Sequence, residues 1–80
     1  MLLKYLQAAM HQAHYEILAD DQSYYGEIPG FAGVYANADT LEACRDELEE
    51  VLEEWLFFRI SHHLPLPIIN DMELKIKDVA

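Results

Sequence analysis

Two hydrophobic periods alternate along the chain. Leu2, Leu3, Leu6, Ala9, Met10 and Ala13 recur at three- and four-residue spacing, with Lys4, Gln7 and His11 on the other side. That is the pattern of a short amphipathic helix over residues 1–13. The period then falls to two. In His14–Ala19, Tyr15, Ile17 and Ala19 point one way and His14, Glu16 and Leu18 the other, as in a strand. Asp20-Asp21-Gln22-Ser23 is a polar turn, and Tyr24–Ile28 reads as the second strand of a hairpin. Pro29-Gly30 ends that strand, because proline removes a ladder donor and glycine tolerates turn dihedrals. Gly33 precedes a third short strand, Val34-Tyr35-Ala36.

The helical period returns over Asp39–His63. Asp39 is placed as N-cap, and Glu42, three residues on, completes a capping box. Leu41, Cys44, Leu48, Val51, Leu52, Trp55 and Phe58 form the apolar stripe. Glu42, Asp46, Glu49, Glu50, Glu53 and Glu54 fall mainly opposite, interrupted by Arg45, which is spaced to pair with Glu49. Pro65 and Pro67 stop the helix. Glu73–Lys77 alternates again as a fourth strand, with Leu74 and Ile76 inward and Lys75 and Lys77 outward, a common protection for an edge.

Strands this short do not stand alone in water, and the long helix is the natural cover. The fold class is therefore α+β: a small three- to four-stranded, mainly antiparallel sheet with one long helix on one face, plus a short N-terminal helix. The 80 residues make a single domain, with a helix at 1–13 and a core at 14–78. If Tyr15, Ile17, Tyr24, Ile28 and Val34 face the helix, then Tyr25 and Tyr35 face away beside Glu16, Glu27 and Leu18. Exposed aromatic residues rimmed by carboxylates suit a protein-binding face, for another protein or for a second copy; the alternative is that the N-terminal helix covers them.

Charge narrows the function. Fifteen acidic residues against five Lys and Arg give a net charge of −10. Without a basic cluster, phosphate-backbone binding is not the expected task, and direct DNA binding is not expected. The charge suits a basic protein partner, because opposite charge speeds encounter and favours docking, and it equally suits solubility alone. Cys44 is the only cysteine; it forms no intramolecular disulfide, and the reducing cytoplasm is the expected compartment. No apolar run approaches the ~18 residues of a membrane span, and the N-terminus lacks the layout of a signal peptide.

Tyr15-Glu16-Ile17, the acidic turn Asp20-Asp21, Tyr25-Gly26-Glu27-Ile28-Pro29-Gly30-Phe31 and Ala38-Asp39-Thr40-Leu41-Glu42-Ala43 follow one another in order. In this order and spacing the stretch from Tyr15 to Pro67 resembles the HicB-like antitoxins of type II bacterial toxin–antitoxin systems. The Ile-Pro-Gly turn followed by Asp-Thr-Leu-Glu-Ala at the helix start carries most of the likeness. The resemblance implies a β-β-β-α-β domain similar to a truncated ribonuclease-H-like fold. It also implies a partner, a small basic HicA-type toxin that cleaves mRNA and is blocked when bound. Many members continue into a DNA-binding domain. With the fourth strand expected at Glu73–Lys77, no such domain is expected within these 80 residues, and a helix-like segment precedes the first strand.

Catalysis is not expected. A ribonuclease-H-type site needs carboxylates converging on metal ions. Glu16, Glu42 and Asp71 are the available acids, but nothing in their spacing fixes such a geometry. Neither His62-His63 nor His11 and His14 stand at metal-ligand spacing with a Cys or paired carboxylate, so no metal or other cofactor is expected. Cys44 falls on the core stripe as a small hydrophobe. The candidate partner-binding residues are Tyr25, Tyr35, Glu16, Glu27, Asp46, Glu49, Glu50 and Glu53. Trp55, Leu56, Phe57, Phe58 and Ile60 are the candidate contacts of a homo-oligomer, since one helix face does not hide them all. Two functions are thus carried forward: an inhibitor of a HicA-type toxin, or a stand-alone oligomeric adaptor with another protein partner.

Overall fold

The computed structural model of the chain describes residues 2–69. In chain order these are α1 (Leu2–His11), β1 (His14–Ile17), β2 (Tyr24–Glu27), β3 (Tyr35–Ala38) and α2 (Leu41–Ser61). The strands form one antiparallel sheet in the order β1-β2-β3. The α+β architecture read from the sequence is the one observed. The expected fourth strand, Glu73–Lys77, and Asp71 lie outside the described residues.

Turn hydrogen bonds explain where each strand stops. The β1–β2 ladder ends at Leu18: its N–H still donates to the Ser23 carbonyl at 2.8 Å, but its own carbonyl accepts from the Gln22 N–H at 3.0 Å while the Ser23 N–H turns to the Asp21 carboxylate at 3.0 Å. Between β2 and β3 two turns follow in succession. The Phe31 N–H donates to the Ile28 carbonyl and the Val34 N–H to the Phe31 carbonyl, each at 3.1 Å. Gly30 (φ 86°) and Gly33 (φ 91°) occupy the third position of each turn, the place in a type II turn that requires positive φ. Val34 is thereby spent on the turn. The third strand begins at Tyr35 and runs to Ala38, later than the expected Val34–Ala36.

The second helix is capped one residue later than expected. Thr40, in extended conformation, is the N-cap, and its hydroxyl accepts the Ala43 N–H at 3.1 Å. The Asp39–Glu42 capping box is therefore replaced by a threonine cap: Thr40 holds the last extended residue before the helix, so its oxygen lies within reach of the free N–H groups. At the other end the helix closes before Pro65 is reached. The Leu64 N–H donates to the Arg59 carbonyl at 2.8 Å and the His63 N–H to the Ile60 carbonyl at 3.2 Å, with His63 at φ 55°. This is a Schellman closure with histidine in the position glycine usually takes. Hydrogen bonding ends the helix, and the prolines lie just beyond.

The core sits between α2 and the inner sheet face. Cys44, Leu48, Leu52 and Leu56 are its helical contribution, at four-residue spacing. Such a row inclines across the helix surface, which sets the helix obliquely over the strands. Each fully buried leucine contributes roughly 1.5–3 kcal/mol. Two expected stripe residues fall outside it. Leu41 is exposed in the first turn, and Phe58, six residues from Leu52, stands about a third of a turn away from the buried row. Leu56 takes the place assigned to Phe58. Because α2 packs on β3 and β2, Ile17 at the end of β1 is left 56 % exposed although it shares the inner face with Tyr24.

The first helix buries Tyr5, Ala9 and Met10, while Leu3 projects to solvent. Tyr5 is the hinge of this packing. Its ring meets Phe31 at 6.4 Å, its hydroxyl donates to the Pro67 carbonyl, and Phe31 in turn packs on Trp55 at 5.1 Å. The Trp55 indole N–H donates to the Ala32 carbonyl at 3.2 Å, and the Arg59 guanidinium lies 4.8 Å over the same ring while donating to the Pro65 carbonyl at 2.9 Å. One aromatic chain thus ties α1, the double turn, α2 and the segment after it.

Candidate interaction surface

Pairing register sorts the strand residues onto two faces, because directly opposed residues share a face. His14 opposes Glu27, which opposes Tyr35; Glu16 opposes Tyr25, which opposes Asn37. These two rows form the outer face. Tyr15, Gly26 and Ala36 make a row on the inner face, toward α2. Tyr25 and Tyr35 are diagonal neighbours on the outer face, and their rings stack at 6.2 Å with 26° between planes. Tyr35 is 58 % exposed. The first helix packs against α2, so among the described residues no helix covers the tyrosine pair.

Two shallow clefts flank the pair. One, of about 320 Å³, is lined by His14, Tyr15, Glu16, Tyr25 and Glu27. The other, of about 400 Å³, lies against the double turn and shares Tyr25, Glu27 and Tyr35. The Tyr25 phenol ionises above its ordinary range, through partial desolvation first and the neighbouring Glu27 carboxylate next. At the working pH of a cell it is a neutral hydroxyl. The face therefore offers two aromatic rings, a neutral donor and two carboxylates.

The other candidate residues are not gathered here. Asp46 and Glu50 stand on the side of α2 turned from the buried row and form a separate acidic surface, both exposed. Glu49 is half-buried near the Tyr15 hydroxyl. Glu53 lines an apolar groove of about 530 Å³ between the helices, with Leu3, Leu6, Leu56, Phe57, Ile60 and Ser61. The eight residues grouped from sequence thus lie on more than one surface. The reason is that the strand parity and the helix parity point to opposite sides of one helix–sheet sandwich.

The candidate oligomer residues divide likewise. Leu56 belongs to the core and Trp55 is committed to Phe31, Ala32 and Arg59. This corrects their assignment as free contacts: Leu56 is buried in the core, and the double turn reaches over the helix to cover Trp55. Phe57 is 74 % exposed beside the groove, Ile60 lines it, and exposed Phe58 stacks on His62 at 4.2 Å. Leu3, opposite Phe57 across the groove, was missed from sequence because its helical spacing marked it as core. His14 was legible as an outer-face residue, since it shares parity with Glu16.

On the inner face, Tyr15 lies over Gly26, and its hydroxyl is buried with no hydrogen-bond partner. Burial raises its ionisation above the ordinary tyrosine value, opposed in part by Arg45. Cys44 is fully buried, with its thiol facing the Ala36 carbonyl at 3.6 Å, and burial pushes its ionisation up. Among the described residues no three His, Cys, Asp or Glu side chains are gathered in a metal-ligand group, and no helix is long and apolar enough to cross a membrane.

Residues 4–67 match the model of the UPF0150-like family. The fold is also similar to that of TTHA0281 from Thermus thermophilus, a solved crystal structure. The two share 38 % sequence identity and a TM-score of 0.90, over 96 % of this chain and 95 % of that one. No curated protein matches the chain. Among the described residues the family model covers the three strands, α2 and the first helix from residue 4 onward, and the chain belongs to the UPF0150-like family.

Proposed function

We propose that this protein is a HicB-like antitoxin that binds a small basic HicA-type mRNA-cleaving toxin and neutralises it by occlusion, without catalysing a reaction. The observation that carries the reading is the open outer sheet face, with Tyr25 stacked on Tyr35 between Glu16 and Glu27. Stacked aromatic rings supply contact area at low conformational cost, and carboxylates around them select a basic surface. Family membership and the net charge of −10 support the same partner class. Asp46 and Glu50, on the far side of α2, steer the encounter rather than form the contact. The test is an mRNA-cleavage assay with a HicA-type toxin and rising amounts of the purified chain. Inhibition that weakens as salt is raised is the expected result. Undiminished cleavage at a large excess of the chain would end the proposal.

A second reading is a stand-alone oligomeric adaptor with a non-toxin partner. It is favoured by one observation, the apolar groove between α1 and α2 beside the exposed Phe57 and Leu3.

A further inference from the structure

We propose that the outer sheet face is a receptor for an arginine side chain of the basic partner, seated against Tyr25 between Glu16 and Glu27, and that it discriminates against lysine. The inference rests on the reading of this face as the partner contact and names the chemistry that the contact selects. The occupant is an arginine-bearing segment of a folded basic protein.

The placement follows from the register. Glu16 lies directly opposite Tyr25, and Glu27 lies two residues along β2 on the same face. Diagonal positions of this kind stand about 7–8 Å apart, so two carboxylates flank one aromatic ring. They line the same cleft of about 320 Å³ with Tyr25 and His14. Of the lysines and arginines among the described residues, none lines either cleft of this face. Lys4 belongs to α1, Arg45 lies near Tyr15, and Arg59 is engaged with Trp55 and Pro65. The face is therefore complementary in charge to a cation that the described fold does not supply.

Arginine fits this complement better than lysine for three reasons. Its planar guanidinium stacks on an aromatic face, where an ammonium makes only a point contact. Its fork of donors reaches two carboxylates at once. It is also less strongly hydrated, so it leaves water more readily for a half-open cleft. The Tyr25–Tyr35 stack holds the platform ring in place before the partner arrives.

The experiment titrates the full chain, isotope-labelled, with oligo-arginine and oligo-lysine peptides of equal length. We expect the arginine peptide to bind about tenfold more tightly, with NMR shifts centred on Glu16, Tyr25, Glu27 and Tyr35. The Glu16→Gln/Glu27→Gln double variant abolishes the preference, while Asp46→Asn/Glu50→Gln, with the same change in charge, retains it. Tyr25→Leu abolishes it and Tyr25→Phe keeps it. Should Tyr25→Leu fail to fold, the exposed Glu16 and Glu27 variants still decide the matter. Equal affinity for both peptides, or shifts centred on Asp46 and Glu50, would overturn the inference. Toxin inhibition without arginine preference removes only this inference. Arginine preference without toxin inhibition removes only the antitoxin assignment.

Discussion

At the scale of single residues, Gly26 shows how tightly the sheet meets α2. A Cβ there would stand 2.8 Å from the Tyr15 ring and 3.2 Å from the Cys44 sulfur. The ring rests on the strand backbone, and the helix sulfur closes the gap from the other side. Gly26→Ala is expected to destabilise the fold by about 1–3 kcal/mol, the usual cost of overpacking. A lowered urea midpoint checks this; an unchanged midpoint would mean that the ring swings aside freely. Tyr15 makes the complementary point. Its ring is needed but its buried hydroxyl reaches no partner. Tyr15→Phe should therefore leave stability unchanged or raise it by up to about 1 kcal/mol. A clear loss of stability in thermal unfolding would show that the hydroxyl is bonded after all.

At the scale of elements, α2 is defined by its two ends. Thr40→Ala removes the oxygen that accepts the Ala43 N–H, and a loss of about 1 kcal/mol is expected. Asp39→Ala, one residue earlier, should cost distinctly less. Denaturant curves of the two variants separate the caps, and the reverse order would restore the aspartate cap suggested by sequence. At the far end, His63 holds a left-handed conformation at φ 55°. Glycine adopts it without the side-chain penalty, so His63→Gly should stabilise the protein by about 0.5–1 kcal/mol. A destabilised variant would show that the histidine ring makes a contact worth more than the backbone penalty.

At the scale of the whole molecule, charge and apolar surface are segregated. Asp46 and Glu50 of α2 point away from the carboxylates of the outer face across the core, while the groove bearing Phe57, Ile60 and Leu3 opens between the helices. Phe57, at 74 % exposure, is the largest uncovered apolar side chain at this groove. If copies associate there, Phe57→Ser should lower the mass seen by light scattering and leave toxin inhibition intact, because the tyrosine face lies elsewhere. An oligomer that survives Phe57→Ser would place the subunit contact on another surface. Inhibition lost together with the oligomer would mean that the toxin site is shared between copies.

Much of this architecture was legible in the chain itself. The change of period from helix to strand at His14, the Pro-Gly and Gly turns, and the four-residue repeat from Cys44 to Leu56 are local patterns, and local patterns dictate local structure. Strand parity alone already set Tyr25 and Tyr35 apart from Tyr15. Tertiary packing decided the rest. Whether Trp55 is free or covered depends on where the double turn at Ile28–Val34 comes to lie, and no spacing within α2 encodes that. Leu3 and Leu56 share the same apolar character, yet one is exposed and the other buried, because burial belongs to the pair of surfaces that meet. Alternation along each strand was enough to say which of its residues share a face. Which face is covered followed from packing, because covering a face requires a second element from far along the chain.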